Sequence, residues 1–175
     1  MKNLLNLAFL TLILFSCGNA SSNDNESSPD KIAAEITALE TEYGADPGAA
    51  LSRIEPLLAK YEEYVSLPQA DENKKVVYLI SAGEMAALIK QYDKAIGYYE
   101  RVITEFPNSA KAATALFMKA YTLDDKLNRL DDAKAVYEAF IAKYPNDDFA
   151  DDAQFLLDNL GKSEEEIIKQ FESKK

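Results

Sequence analysis

The chain of 175 residues has no histidine, no tryptophan and a single cysteine. Each gap removes a chemistry. Without imidazole there is no histidine general base, no His-based triad and no His-ligated metal. One cysteine closes no intrachain disulfide and builds no cysteine-cluster zinc site. Positive charge is also short: 19 Lys and Arg face 30 Asp and Glu, a formal net charge of −11. Phosphate backbones and anionic lipid surfaces are poor partners for such a chain, so no nucleic-acid binding is expected. Six Gly and six Pro are few, which favours long regular elements over many turns. What is present is 47% hydrophobic, the content of a globular chain, at a length that suits one domain.

One long apolar run exists, at the N-terminus. Lys2 gives a basic start, residues 4–15 an apolar core, and Ser16 a small residue ahead of Cys17. That order is the pattern of a secretory signal. The run is too short for a spanning helix, which needs ~20 apolar residues. Leu14-Phe15-Ser16-Cys17 resembles the bacterial lipobox, although Phe15 is bulky for its place. The resemblance implies that residues 1–16 are a lipoprotein signal peptide, cleaved before Cys17. It also implies lipidation of Cys17, with diacylglycerol on its sulfur and an acyl chain on its new amine. At ~0.8 kcal/mol per buried methylene, two or more chains hold a protein firmly on a bilayer. Residues 17–29 then read as the lipidated cysteine and its linker. Residues 18–29 carry no large apolar side chain, and a tether of that length and composition spans roughly 20 Å.

From residue 30 to 175, apolar residues recur at three- and four-residue steps, and strand-like alternation is missing. This spacing predicts an all-α domain with helices near 30–43, 47–66, 72–90, 92–105, 110–126, 130–143, 147–160 and 163–172. Asp46 ahead of Pro47 reads as a cap with proline in the first turn. Ser163 with Glu166 reads as a capping box. Pro56, inside the second helix, is expected to kink or break it, because it removes an N–H and crowds the Ser52 carbonyl. Gly161 is placed to end the seventh helix.

The chain also repeats itself. Residues 92–109 laid over 130–147 share Asp93/Asp131, Ala95/Ala133, Tyr99/Tyr137, Glu100/Glu138, Ile103/Ile141, Pro107/Pro145 and Asn108/Asn146. Small residues (Gly83, Ala95, Ala120, Ala133) allow two antiparallel helices to approach, tyrosines fill the gap beside them, and each proline stops a second helix. Residues 76–109, with Leu79, Ala82, Gly83, Ala86, Tyr92, Ala95, Tyr99 and Pro107, resemble one tetratricopeptide repeat (TPR). Residues 110–147 resemble a second with about four extra residues, imperfect at Lys119, where the motif takes a large apolar side chain. Residues 30–67, with Tyr61, Tyr64 and Pro68 at their end, look like a divergent first pair. Residues 148–160 begin a further copy, and the acidic, amphipathic 163–172 suits a cap. The resemblance implies an antiparallel helix-pair solenoid, following the signal segment and flexible tether, in which each pair buries its apolar face against the next.

Nothing marks out a reaction. Asp pairs at 124–125, 131–132, 147–148 and 151–152 form no D-x-[DN]-x-[DN]-G calcium loop and fall at helix starts, where carboxylates suit the helix dipole. No Gly-rich phosphate loop is present. No enzyme activity, metal or cofactor is expected. The resemblance implies a protein-interaction or scaffold role, and within the repeat family the chain is similar to two envelope types: the lipoprotein of outer-membrane barrel assembly and the periplasmic coordinator of the Tol-Pal system. It implies a cell-envelope protein, lipid-anchored at the outer membrane and facing the periplasm or the cell surface. First helices of each pair would line a concave face, with Ile80, Glu84, Leu88, Phe117, Tyr121, Asp124 and Phe155 as the partner-binding residues. The acidic balance points to an envelope protein or peptide with a basic segment. The alternatives are a structural or surface-exposed nutrient-uptake lipoprotein, or an enzyme on a helical bundle.

Overall fold

The computed structural model of the chain describes residues 28–45 and 51–173. Among these residues there are eight α-helices and no strand. In chain order they are α1 (Pro29–Ala45), α2 (Leu51–Ser66), α3 (Glu72–Leu88), α4 (Tyr92–Glu105), α5 (Ala112–Tyr121), α6 (Leu130–Lys143), α7 (Ala150–Asp158) and α8 (Glu164–Glu172). From α1 to α7 each helix packs chiefly on the one before and the one after it. That is the signature of a helix-pair solenoid, in which no residue far along the chain closes the core. The signal segment, Cys17, most of the linker and the Asp46–Pro47 cap lie outside the described residues.

Three turns repeat nearly atom for atom. The N–H of Ala70 donates to the Leu67 carbonyl, that of Ser109 to Phe106 and that of Asp147 to Tyr144, each across a Pro at the second position. Proline fixes φ and cannot continue the preceding helix, so Pro68, Pro107 and Pro145 each close a second helix. Phe106 and Tyr144, which cap α4 and α6, share φ near −130° and ψ near 54° (−130°, 53° and −129°, 55°). The divergent first pair is therefore α1–α2, built on the same ending.

The first helices end on a different device. Lys90, Asn128 and Gly161 all have positive φ, at 61°, 50° and 73°. At the end of α3 the Gln91 N–H reaches the Ala86 carbonyl and the Lys90 N–H reaches Ala87, a Schellman ending with lysine where glycine is usual. After α5 the chain makes a π-helical turn, Thr122–Lys126, before Asn128. There the closing bond is wider, from the Arg129 N–H to the Leu123 carbonyl at 2.8 Å. The helix expected over 110–126 thus divides into α5 and a π turn. The extra residues of the second copy are taken up between α5 and α6.

Other boundaries shift for local reasons. Pro29 is the first residue of α1 and not the last of a linker; the Ser28 hydroxyl accepts the Lys31 N–H at 3.3 Å, the usual service of a residue ahead of an N-terminal proline. α7 starts at Ala150 and not 147, because the Asp147 carboxylate accepts the Phe149 N–H at 3.0 Å and holds a turn. α2 runs unbroken through Pro56, so the expected break does not occur.

Two apolar clusters fill the row. The first joins α1–α4 and the start of the next pair through Ile36, Ile54, Leu58, Tyr64, Leu79, Tyr99 and Val102. The second joins α4–α7 around Phe117, Tyr137, Phe140 and Ala153. At Gly83 even a Cβ would overlap the buried Tyr99 ring, so glycine sets how closely α3 and α4 approach. Lys119, at the motif's apolar position, instead spans α5 to α4 by an ion pair to Glu100 at 2.8 Å.

Two substitutions test these constraints with opposite signs in urea denaturation. Gly83→Ala is expected to destabilise by about 1–3 kcal/mol, because the overpacked ring has nowhere to move. Lys90→Gly is expected to stabilise by about 0.5 kcal/mol, because it relieves a left-handed lysine at little cost in helix.

Candidate functional site

The residues expected to bind a partner separate into two groups. Ile80, Glu84 and Leu88 lie along α3 at four-residue steps; Ile80 is buried, Glu84 is exposed and Leu88 is half exposed. None of the three lines the two hollows described next. Phe117, Tyr121, Asp124 and Phe155 converge between α5, the π turn and α7, where two adjoining hollows share Tyr121, Phe155 and Leu156.

The first hollow, about 340 Å³, has an apolar floor of Phe117, Met118, Tyr121, Phe155 and Leu156, with Asp152 at its edge. Phe117 is largely core. Its ring stacks on Phe149 at 4.7 Å and meets Tyr137 and Phe140 edge-on at 6.3 and 5.8 Å. It therefore presents only an edge to the hollow, whereas Phe155 is 44% exposed and presents much of its ring. The reason is that Phe149, ahead of α7, covers the Phe117 face.

The second hollow, about 440 Å³, is more polar. Asp124, Asp125, Asn128, Lys162 and Ile167 line it with Tyr121 and Phe155. The π turn is what aims Asp124 here. Its carboxylate accepts a long bond, 3.5 Å, from the buried Tyr137 hydroxyl. Burial pushes the Asp124 pKa up, Asp125 beside it adds to the rise, and the Tyr137 bond opposes it. Asp125 is engaged by Lys126, whose ammonium also stands 5.6 Å from the Tyr121 ring.

Charge around the hollows is neutralised only in part: Asp125 pairs with Lys126, whereas Asp152 forms no ion pair among the described residues. Elsewhere carboxylates pair across helices: Glu35 with Lys60, Glu62 with Arg101, Glu100 with Lys119 and Asp93 with Arg129. Asp148, Asp151, Asp152, Glu164 and Glu165 form no ion pair among the described residues. Lys162, the nearest cation, gives its hydrogen bonds to the Asp158 carbonyl, Asn159 and Gln170.

The Tetratricopeptide repeat family model matches residues 80–109 and 114–147. Over these residues the chain is similar to two tetratricopeptide repeats. They include α5, the π turn and α6, and all but the N-terminal part of α3–α4; the second match is four residues longer than the first, and the π turn lies inside it. Repeats of this kind form binding surfaces on a stacked scaffold, so a protein-interaction role follows for the repeat body. No curated protein matches the chain. Among the described residues no helix is long and apolar enough to cross a membrane, and no group of three or more Cys, Asp or Glu could hold a metal ion.

Several residues of the hollows escaped the sequence reading. Asp152 was visible only as half of an acidic pair at a helix start. Ile167 and Phe171 belong to the closing helix, whose placement no repeat pattern specifies. That helix begins with the expected capping box: the Ser163 hydroxyl accepts the Glu166 N–H, and the Glu166 carboxylate accepts the Ser163 N–H at 2.8 Å.

The Glu166 pKa is lowered, first by that backbone bond and then by the Ser163 hydroxyl. A carboxylate with a depressed folded pKa stabilises above its unfolded value, and its contribution is lost as pH falls through the folded one. α8 is therefore expected to lose helix toward the acid end of the carboxylate range, earlier than α3–α6. Residue-resolved NMR shifts during an acid titration check this, and α8 melting in step with the body would contradict it.

Proposed function

We propose that this protein is a lipid-anchored scaffold of the bacterial cell envelope, which receives a basic, amphipathic segment of another envelope protein between α5 and α7. The observation that carries the reading is an apolar floor with an exposed phenylalanine, bordered by Asp152, which forms no ion pair among the described residues. An aromatic or aliphatic anchor on the partner would fill the hollow over Phe155, and Lys or Arg beside it would meet Asp124, Asp151 and Asp152. Apolar anchoring supplies affinity, and the charges raise the association rate and select against acidic competitors. A helix laid in such a groove is one of the recurring modes of peptide recognition.

The envelope address rests on the lipobox-like Leu14-Phe15-Ser16-Cys17. A lipid on Cys17 and the tether after it would hold the repeat body close to one leaflet, at the outer membrane and facing the periplasm or the cell surface. The resemblance to the repeat proteins of outer-membrane assembly and of Tol-Pal coordination supports a role of either kind without choosing between them. The chemistry here is recognition and not turnover.

A labelled synthetic amphipathic helix of Lys, Leu and Phe, followed by fluorescence anisotropy, tests the groove. Phe155→Ala is expected to weaken binding about tenfold, and Asp151→Lys with Asp152→Lys by a similar factor. Raising salt should weaken it as well. Binding that ignores both salt and Phe155→Ala sinks the assignment. Separately, Cys17→Ser is expected to move the protein from the membrane to the soluble fraction of cell extracts; wild-type protein without an acyl mass at Cys17 would remove the anchor.

A further inference from the structure

We infer that α8 is a displaceable strap, which holds the exposed ring of Phe155 in the free protein and gives it up to the incoming segment. The inference rests on the groove reading above and adds how that groove is guarded.

α8 is unlike the helices of the repeat body. None of its residues is buried, and Ile168 and Phe171 are 56% and 53% exposed. Its hold on the repeat body is narrow. The Phe171 ring stacks on Phe155 at 6.2 Å and 18°, and Ile167 borders the second hollow. Beneath it the 440 Å³ space stays open, so α8 covers the hollow without filling it.

The helix is nonetheless preformed. Its capping box is internal, and Lys162 ties its last turn by a 2.9 Å bond to Gln170. Off the body a helix of 9 residues is marginal in water, so displacement lets it fray. The chain enters α8 through Gly161, where a left-handed φ of 73° and the close Leu130 side chain would strain a larger residue. Gly161 is thus a fixed pivot, with a self-capped helix beyond it.

Geometry decides between a strap and a clamp. A helix with its side chains is ~10 Å across. Phe171 already sits within 6.2 Å of Phe155, so no segment passes between the two rings. A partner that takes the face of Phe155 now stacked on Phe171 must replace that ring. A clamp closing over the partner would require α8 to stand off Phe155 in the free protein, which it does not.

The sign of one substitution separates the possibilities. With the same Lys, Leu and Phe helix as probe, Phe171→Ala in the full chain is expected to bind about three- to tenfold tighter than wild type. Ile168→Ala, on the outer side of α8, should bind as wild type. Hydrogen exchange should show α8 losing protection when the probe is added, while α5 and α7 gain it. Equal or weaker binding by Phe171→Ala overturns the strap and makes α8 part of the docking surface. Should the probe bind neither protein, the groove reading fails on its own. The strap is then decided by exchange in the free chain. Opening of α8 as a unit, faster in Phe171→Ala than in wild type, sustains it; protection equal to that of α5 overturns it.

Discussion

The Tyr99 ring lies where a side chain on residue 83 would stand, and glycine there lets α3 and α4 approach closely. The consequence spreads along the row. Ala82 and Ala86 on α3, and Ala95 on α4, are buried at this closeness, and Val76, Leu79 and Val102 complete the seam. Tyr61, Tyr99 and Tyr137 recur at a 38-residue interval and are each at most 2% exposed. One large ring beside small neighbours, set once per pair, fixes the distance between helices. That distance in turn fixes how far apart α5 and α7 can stand, and so whether hollows remain between them.

How much of this was legible follows from which physics acts locally. Proline turns that recur at matching places in the pairs are legible, so the endings at Pro68, Pro107 and Pro145, and the helix pairing they imply, could be read from spacing, whereas Pro56, inside α2, misleads. Gly161 was readable as well. Lys90 was not: nothing about lysine favours left-handed backbone, and it takes that conformation because the α3–α4 contact demands a tight reversal there. The π turn at Thr122–Lys126 was likewise hidden, since an extra residue per turn is imposed by packing of Leu123 and Tyr137 and leaves no compositional mark.

The candidate site divides along the same line. Motif position put Phe117, Tyr121, Asp124 and Phe155 on one face, and these four line the two hollows, because helix periodicity fixes which side chains share a face. It could not report depth. Phe149, from a turn outside the repeat pattern, covers Phe117 and leaves Phe155 as the accessible ring. The α3 residues Ile80, Glu84 and Leu88 share a face yet line neither hollow. The acidic balance of the whole chain was plain from composition. That cross-helix ion pairs absorb acids along the first three pairs, and leave those of α7 and the start of α8 unmatched, emerged only from three-dimensional placement.

Because each helix leans on its immediate neighbours, nearly every stabilising contact joins residues close together along the chain. Loops that must close are therefore short, and the entropy lost in closing them is small. A polypeptide emerging end first can complete its earliest hairpins while later residues are still unavailable, with no distant strand or helix needed to finish them. Assembly from one end, hairpin upon hairpin, is thus built into the topology, and the last hairpin to join is the one that carries Phe155.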